Sequence, residues 1–184
     1  MNNPIVDLLN KRHASRAIDT KPLAEKVVAE MAEAVRLTPS CYNKQPWRFL
    51  FLTSKEGLEK GRQALTGPNL KWASTAPLLI VGYSRKEDDC VLNDGRAYHE
   101  FDLGMSAMNL MLSATHHDLV ARPMAGFDPT KVRELFGLSP EEEPLVMIAV
   151  GNKASDDSHV PDSYKQIAQQ PRSRKPVEEI IKRL

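Results

Sequence analysis

The seven residues Pro77–Tyr83, PLLIVGY, form a nearly continuous apolar run of strand length. Side chains alternate across a strand, so a run that is apolar at every position has no face to give to water. It predicts a central strand buried on both sides. Everything else in the chain has to be arranged around that requirement.

The flanking segments supply covering elements. Asn3 before Pro4 is a helix start, an Asn cap followed by Pro at the first helical position, and Ile5, Leu8 and Leu9 share a face up to about Lys11. Pro22 is expected to open a second helix, with Val27, Val28, Met31, Ala34 and Val35 at helical spacing until Pro39 breaks it. Arg48–Thr53 has strand character, Lys55–Ala64 is a short helix, and Gly67-Pro68-Asn69 is a turn. Ser84–Asn93 is charged and loop-like.

The longest helical pattern runs from about Arg96 to Asp118. Phe101, Met105, Met108 and Leu112 make one stripe on it, and Leu103, Ala107, Leu110 and Ala114 another. A helix apolar on two sides is either a buried central helix or one shared with a second subunit. After the extended piece ARPMAGF, Asp128-Pro129 caps a helix ending at Gly137, and Leu145–Val150 is the last strand. The rest is polar and proline-interrupted, with a small helix from Pro176. Helices separated by strands around a long central helix indicate an α+β or mixed α/β sandwich, with strand order left open.

A chain of 184 residues suits one domain, 1–184. Its net charge of +1 gives no global basic field for nucleic acid or an anionic membrane. No apolar stretch of about 18 residues appears, and the N-terminus lacks a secretory pattern, so a cytoplasmic location is expected. The two cysteines, Cys41 and Cys90, imply no disulfide scaffold and fit a reducing compartment.

Three clusters carry candidate chemistry. Lys11-Arg12-His13-Ala14-Ser15-Arg16 places two guanidiniums at a helix-to-loop junction, where both can grip one anion; a solvated basic helix end is the plain alternative. Arg172-Ser173-Arg174-Lys175 is a second basic group, and taken alone an exposed basic tail. If the tail folds back on the junction, a phosphate supplies the charge that both groups lack. The third is TPSCYNKQPW, Thr38–Trp47, where Pro39 and Pro46 stiffen a loop whose Asn43 and Gln45 match the mixed edge of a pyrimidine-like ring. Gln45-Pro46-Trp47 can equally anchor a strand with Trp47 in the core. Cys41 has no basic activator and is assigned to packing or contact.

Other chemistries find no support. His13, His99, His116, His117 and His159 form no ligand spacing, so no metal is expected. There is no G-x-S-x-G element, dinucleotide-binding glycine pattern or P-loop.

Four segments, KRHASRAID, TPSCYNKQPWRF, PMAGFDPTKVRELFGL and PRSRKP, occur in this order, and with them the chain resembles the FMN-dependent nitroreductase family over nearly its whole length. The first and last are most similar to the oxygen-insensitive bacterial nitroreductases, and the size to the smallest members. The resemblance implies a nitroreductase-like fold with a central, mainly antiparallel or mixed sheet flanked by helices and a C-terminal tail reaching across a homodimer. It implies two FMN sites at the subunit interface. Arg12, His13, Ala14, Arg16, Arg172 and Arg174 would close on the FMN phosphate. Pro39, Ser40, Cys41 and Asn43 would approach the flavin from the partner chain, Met124, Ala125 and Gly126 would lie along the ring system, and Lys71 near its pyrimidine end. Two positions depart from the pattern: Ala14 stands where Ser is common, and Ala125 where some relatives carry Glu.

The activity so implied is ping-pong transfer of hydride from NADH or NADPH through FMN to a nitroaromatic, quinone or activated double bond. No catalytic side chain is assigned, because the flavin carries the chemistry. The rivals are an FMN-binding sensor or store without turnover, and a cofactor-free dimeric interaction module. The short Ser84–Asn93 segment favours an open pocket and therefore catalysis.

Overall fold

A computed structural model describes residues 3–184. In chain order the elements are α1 (Pro4–Lys11), α2 (Glu25–Arg36), β1 (Arg48–Leu52), α3 (Lys55–Ala64), α4 (Asn69–Ala73), β2 (Leu78–Ser84), α5 (His99–His116), β3 (Leu119–Met124), α6 (Pro129–Phe136), β4 (Glu143–Asn152), α7 (Asp162–Gln169) and α8 (Val177–Ile180). The four strands form one sheet in the order β1-β2-β4-β3, antiparallel at every pairing. The architecture is α+β.

β2 lies in the interior of this sheet, and Leu78, Leu79, Ile80 and Val81 have no solvent exposure. Pleating divides them between two cores. Leu79 and Val81 pack with Met147 and Ala149 of β4 against Ala64, Trp72 and Val132, from α3, α4 and α6. Leu78 and Ile80 pack with Ile148 and Val150 against Met31 and Val35 of α2 and Leu103, Ala107, Leu110 and Ala114 of α5. Each such side chain contributes roughly 1.5–3 kcal/mol when removed from water. An antiparallel sheet normally keeps one wet face; here helices cover both, as the apolar run demands.

Local signals account for most helix ends. The Asn3 side chain accepts from the backbone N–H of Ile5 and Val6, fixing the start of α1. Asp128 accepts from the Lys131 N–H, and Gly137 ends α6 in the left-handed conformation at φ 66°. Pro22 does not open α2, which begins at Glu25: the Asp19 carboxylate accepts the Lys21 N–H at 3.1 Å and holds the chain in a local turn. Helices α4 and α7 lie in segments expected to be a turn and an irregular tail.

Of the two stripes on α5, only Leu103, Ala107, Leu110 and Ala114 are core. Phe101 is 60% exposed, and Met105, Met108 and Leu112 are half-buried. Ile5 and Leu9 of the neighbouring α1 are exposed as well. The expectation of two unbridged cysteines is corrected: Cys41 and Cys90 form a disulfide, because the loop before β1 and the segment after β2 meet at the start of α5 and bring their Cα atoms to 6.0 Å. Among the described residues no helix is long and apolar enough to cross a membrane.

Candidate functional site

The N-terminal junction is set by pairing. After α1 the chain turns extended at Arg12 and runs to Ile18, which is 1% exposed and forms an antiparallel bridge with Lys153 at the end of β4. The Ala154 N–H donates to the Ala17 carbonyl, and the Asp19 N–H to that of Asn152. Residues 12–16 are therefore held as an ordered edge beside β4 and β3. His13 and Ala14 open on a cavity of about 360 Å³ that Lys11, Thr115, Lys153 and Ala168 also line.

Arginines from three parts of the chain converge on this edge. Arg172 donates to the carbonyls of Leu9 at 3.2 Å and Asn10 at 3.3 Å and also to that of Arg12, so the tail returns to its own α1 at the negative end of the helix. Arg122 of β3, half-buried, donates to the Ala14 carbonyl. The Arg16 guanidinium lies 3.7 Å from the ring centroid of Tyr164 in α7 and 6.0 Å from that of Trp72 in α4. Its Nε is buried without a hydrogen-bond partner.

The electrostatics record crowding. Arg122 is lowered to about 10, first by burial and then by the nearby charge of Arg16 and, more weakly, Arg12; Tyr164 opposes the shift. Arg12 is lowered by burial and by Arg172 and Arg174. Arg16 is lowered by burial. Among the described residues, none of Arg12, Arg16, Arg122, Arg172 and Arg174 forms a salt bridge with a carboxylate. Converging guanidiniums without a counter-charge suit a phosphate, which several of them can grip at once. The residues present therefore fit a phosphorylated cofactor.

The adjoining edge is built by α4 and the end of β3. Met124 is 5% exposed, while Ala125 and Gly126 face outward. Asn69 donates to the Gly126 carbonyl at 3.0 Å and accepts from Trp72 Nε1 at 3.1 Å. A Cβ on Gly126 would sit 2.5 Å from Asn69 Nδ2, so glycine is required for this close approach. Lys71, on the same short helix, is exposed. Ala14 presents only a methyl, and the neighbouring Ser15 hydroxyl accepts the Ala17 N–H at 3.1 Å.

The third cluster lies elsewhere. Pro39, Ser40 and Cys41 line a cleft of about 340 Å³ with Tyr98, Phe101 and Met105 at the start of α5. The Cys41 N–H donates to Asp102 at 2.8 Å, and Asn109 donates to Thr38 at 2.8 Å, pinning the loop to that helix. Gln45 donates from its backbone to Ser40 Oγ and from its side chain to Asn43, so two expected recognition groups hold each other. Trp47 is 7% exposed and belongs to the core, as the strand-anchor alternative has it.

The fourteen expected residues thus fall into two groups. Arg12, His13, Ala14, Arg16, Arg172 and Arg174 come together, with Met124, Ala125, Gly126 and Lys71 on the adjoining edge joined through the Arg16–Trp72 contact and Arg122. Pro39, Ser40, Cys41 and Asn43 are not among them. Asp102, which holds the loop, and Thr115, which lines the cavity, are thirteen positions apart on α5, about 20 Å at 1.5 Å per residue. Sequence reasoning missed Arg122, Tyr164, Asn69 and Asp102. Only Arg122 left a signal, a charge inside the otherwise apolar LVARPM.

The fold recurs among known proteins. MhqN of Bacillus subtilis (strain 168), which carries the name NAD(P)H nitroreductase, is 26% identical over 203 residues, 93% of this chain and 94% of the relative. A nitroreductase family protein from Clostridium difficile 630 superposes with a TM-score of 0.79 at 25% identity, over 99% of this chain and 98% of the other. The crystal structure of an oxidoreductase containing FMN gives a TM-score of 0.84 at 25% identity, over 98% of this chain and 90% of the other. With its sequence matching the family model over residues 9–71 and 66–152, and with its overall fold shared with these structures, the chain belongs to the Nitroreductase family.

Proposed function

We propose that the chain is a single FMN-binding domain that works as a homodimer, an NAD(P)H-dependent oxidoreductase reducing electron-poor acceptors. The observation that carries this reading is the convergence of Arg12, Arg16, Arg122, Arg172 and Arg174 with no carboxylate among them. FMN, when bound, supplies the hydride chemistry, accepting from NADH or NADPH and passing electrons to a nitroaromatic, quinone or activated double bond in ping-pong order.

The residues bind and orient. Arg12, Arg16 and Arg174 hold the phosphate, with His13 and the Ala14 backbone beside them. Arg122 fixes that backbone through the Ala14 carbonyl, and Arg172 fixes it through the carbonyls ending α1. Met124, Ala125 and Gly126 offer a flat edge to the ring system, and Lys71 stabilises negative charge at its pyrimidine end.

Separation along α5 supports the dimer: Asp102, which holds the loop, and Thr115, which lines the arginine-side cavity, stand about 20 Å apart by helix rise, so the loop and the arginines are read as serving the flavin from different chains. A two-fold axis along the exposed Phe101–Met105 face of α5 and the apolar side of α1 brings Pro39, Ser40, Cys41 and Asn43 of one chain to the basic edge of the other. A cytoplasmic location, where nicotinamide donors are abundant, goes with this reading.

The test is direct. Purified protein titrated with FMN should bind one equivalent per chain, and NADH or NADPH should bleach the bound flavin and sustain turnover with a nitroaromatic or quinone. Binding without bleaching would leave a flavin store rather than an enzyme. Failure to bind FMN would overturn the reading.

A further inference from the structure

In a cytoplasmic protein a disulfide is rarely structural; it is more often transient, catalytic or redox-sensing. Cys41–Cys90 closes a span of 49 positions and joins the Thr38–Trp47 loop to the segment between β2 and α5. We propose that this pair is a reversible thiol–disulfide site, opened by low-molecular-weight thiols and closed by their disulfides, whose state fixes the conformation of the Thr38–Trp47 loop. Its effect on FMN retention rests on the flavin reading above.

Access is one-sided. In the single chain Cys41 is half-buried and lines the open cleft beside Pro39 and Tyr98, whereas Cys90 is 6% exposed. An incoming thiolate therefore meets the Cys41 sulfur first. Two buried carboxyls flank the bond: Asp102, 1% exposed, accepts the Cys41 N–H at 2.8 Å, and Asp89, 3% exposed, accepts the Cys90 N–H at 2.7 Å. Burial, and after it the charge of Asp102, raise Asp89 above the usual carboxyl range. A carboxylate oxygen of Asp89 and both sulfurs lie within 4.8 Å of one another.

The exchange balances as follows. A thiolate RS⁻ attacks Cys41 Sγ, the Cys41–Cys90 bond breaks, and the electron pair leaves on Cys90 Sγ, which is then protonated. A second thiolate attacks the sulfur of R in the mixed disulfide, RS–SR forms, and the electron pair leaves on Cys41 Sγ, which is protonated in turn; the two protons are those released when the two RSH ionise. The sum is one protein disulfide and two RSH giving one protein dithiol and RSSR; oxidation by RSSR is the reverse.

The loop is poised to respond. Tyr42, Asn43 and Gln45 all hold left-handed backbone at φ 48°, 56° and 50°, a conformation that side chains other than glycine's resist. Cys41 begins this stretch, so the cross-link is one of the few tertiary ties holding it. Opening the bond lets these residues relax, and Ser40 and Asn43 shift with them.

The test equilibrates the full-length protein in glutathione buffers of defined ratio. Maleimide labelling should find no free thiol in oxidising buffer and two per chain in reducing buffer. Amide exchange over residues 40–47 should quicken at least tenfold on reduction, and FMN should bind about tenfold more weakly. Cys90→Ser, confirmed folded by circular dichroism, should show the reduced behaviour in both buffers. Two free thiols in oxidising buffer, a stoichiometric zinc ion on the cysteines, or exchange and FMN affinity indifferent to thiol state would each overturn the proposal. If neither form binds FMN, the flavin reading fails, and the thiol count and amide exchange still decide the switch.

Discussion

The Arg16 guanidinium stacks on the Tyr164 ring, 3.7 Å from its centroid, so a residue of the N-terminal junction is held by one in the tail helix. The contact aligns the Arg16 plane before any ligand arrives. A stacked guanidinium of this kind is worth on the order of 1 kcal/mol, more when desolvated. Tyr164→Ala should weaken FMN binding about tenfold in a fluorescence-quenching titration, whereas Tyr164→Phe, which keeps the ring face, should stay near wild type. Equal losses in both would place the effect in the hydroxyl instead.

Uncompensated arginines make the protein respond to the bare anion. Inorganic phosphate at ten times its dissociation constant should stabilise the fold by about 1.4 kcal/mol, a rise of roughly 4 °C for a chain of this size. Arg122→Met should fall within about 2 °C of wild type without phosphate, since one lost hydrogen bond is offset by relief of like charge and burial, and should lose most of the phosphate-dependent gain. Scanning calorimetry at matched ionic strength distinguishes this from general salt stabilisation; an undiminished gain in the variant would show that Arg122 is outside the site.

Much of the scaffold was legible because its signals are local. PLLIVGY requires covered faces wherever it sits, and Asn3-Pro4 and Asp128 with Gly137 mark helix ends within a few residues of themselves. The junction and tail arginines were legible as charge, and their meeting depended on the resemblance. What stayed hidden depends on distant partners. Tyr164 is unremarkable until it lies under Arg16, Asp102 until it receives the Cys41 N–H, and Cys90 until it meets Cys41 across 49 positions. Helix α4 follows Gly67-Pro68 with no capping side chain, so its stability comes from burying Trp72 and Ala73, which no short-range pattern reveals.

Close approach at Gly126 offers a packing test of the edge assigned to the flavin ring. A methyl there meets Asn69 Nδ2 at 2.5 Å, and Asn69 yields only by giving up its bonds to the Gly126 carbonyl and Trp72 Nε1. Gly126→Ala should cost about 1–2 kcal/mol, lowering the melting temperature by roughly 5 °C, and should weaken FMN binding. Asn69→Ala combined with Gly126→Ala removes the clash, so the pair should cost less than the two single losses added; strict additivity would locate the strain elsewhere.

The raised Asp89 carboxyl predicts a pH signature. In the unfolded chain Asp89 titrates near 4; in the folded protein burial and Asp102 raise it, so between those values the native state binds more protons. Unfolding free energy therefore falls as pH rises through the folded value. Asp89→Asn keeps an oxygen for the Cys90 N–H without ionising. With the disulfide intact, the variant should melt above wild type at pH 8, the gap closing towards pH 4. A difference that does not change with pH would mean that Asp89 carries no such penalty.

Separation along α5 sets the last expectation. Asp102 beside the Cys41 loop and Thr115 beside the arginine-side cavity stand about 20 Å apart by helix rise, and α5 and its neighbour α1 carry exposed Phe101, half-buried Met105 and the exposed Ile5 and Leu9. Exposed apolar side chains grouped in this way suit an interface, and in the proposed homodimer a two-fold axis would set this stripe against the same stripe on the second copy. Phe101→Glu with Met105→Glu puts four carboxylates into that seam while leaving the Leu103–Ala114 core untouched. Sedimentation should show a folded monomer, and FMN affinity should fall at least a hundredfold although no arginine has changed. A monomer that still binds FMN at full strength would overturn the proposed two-chain site.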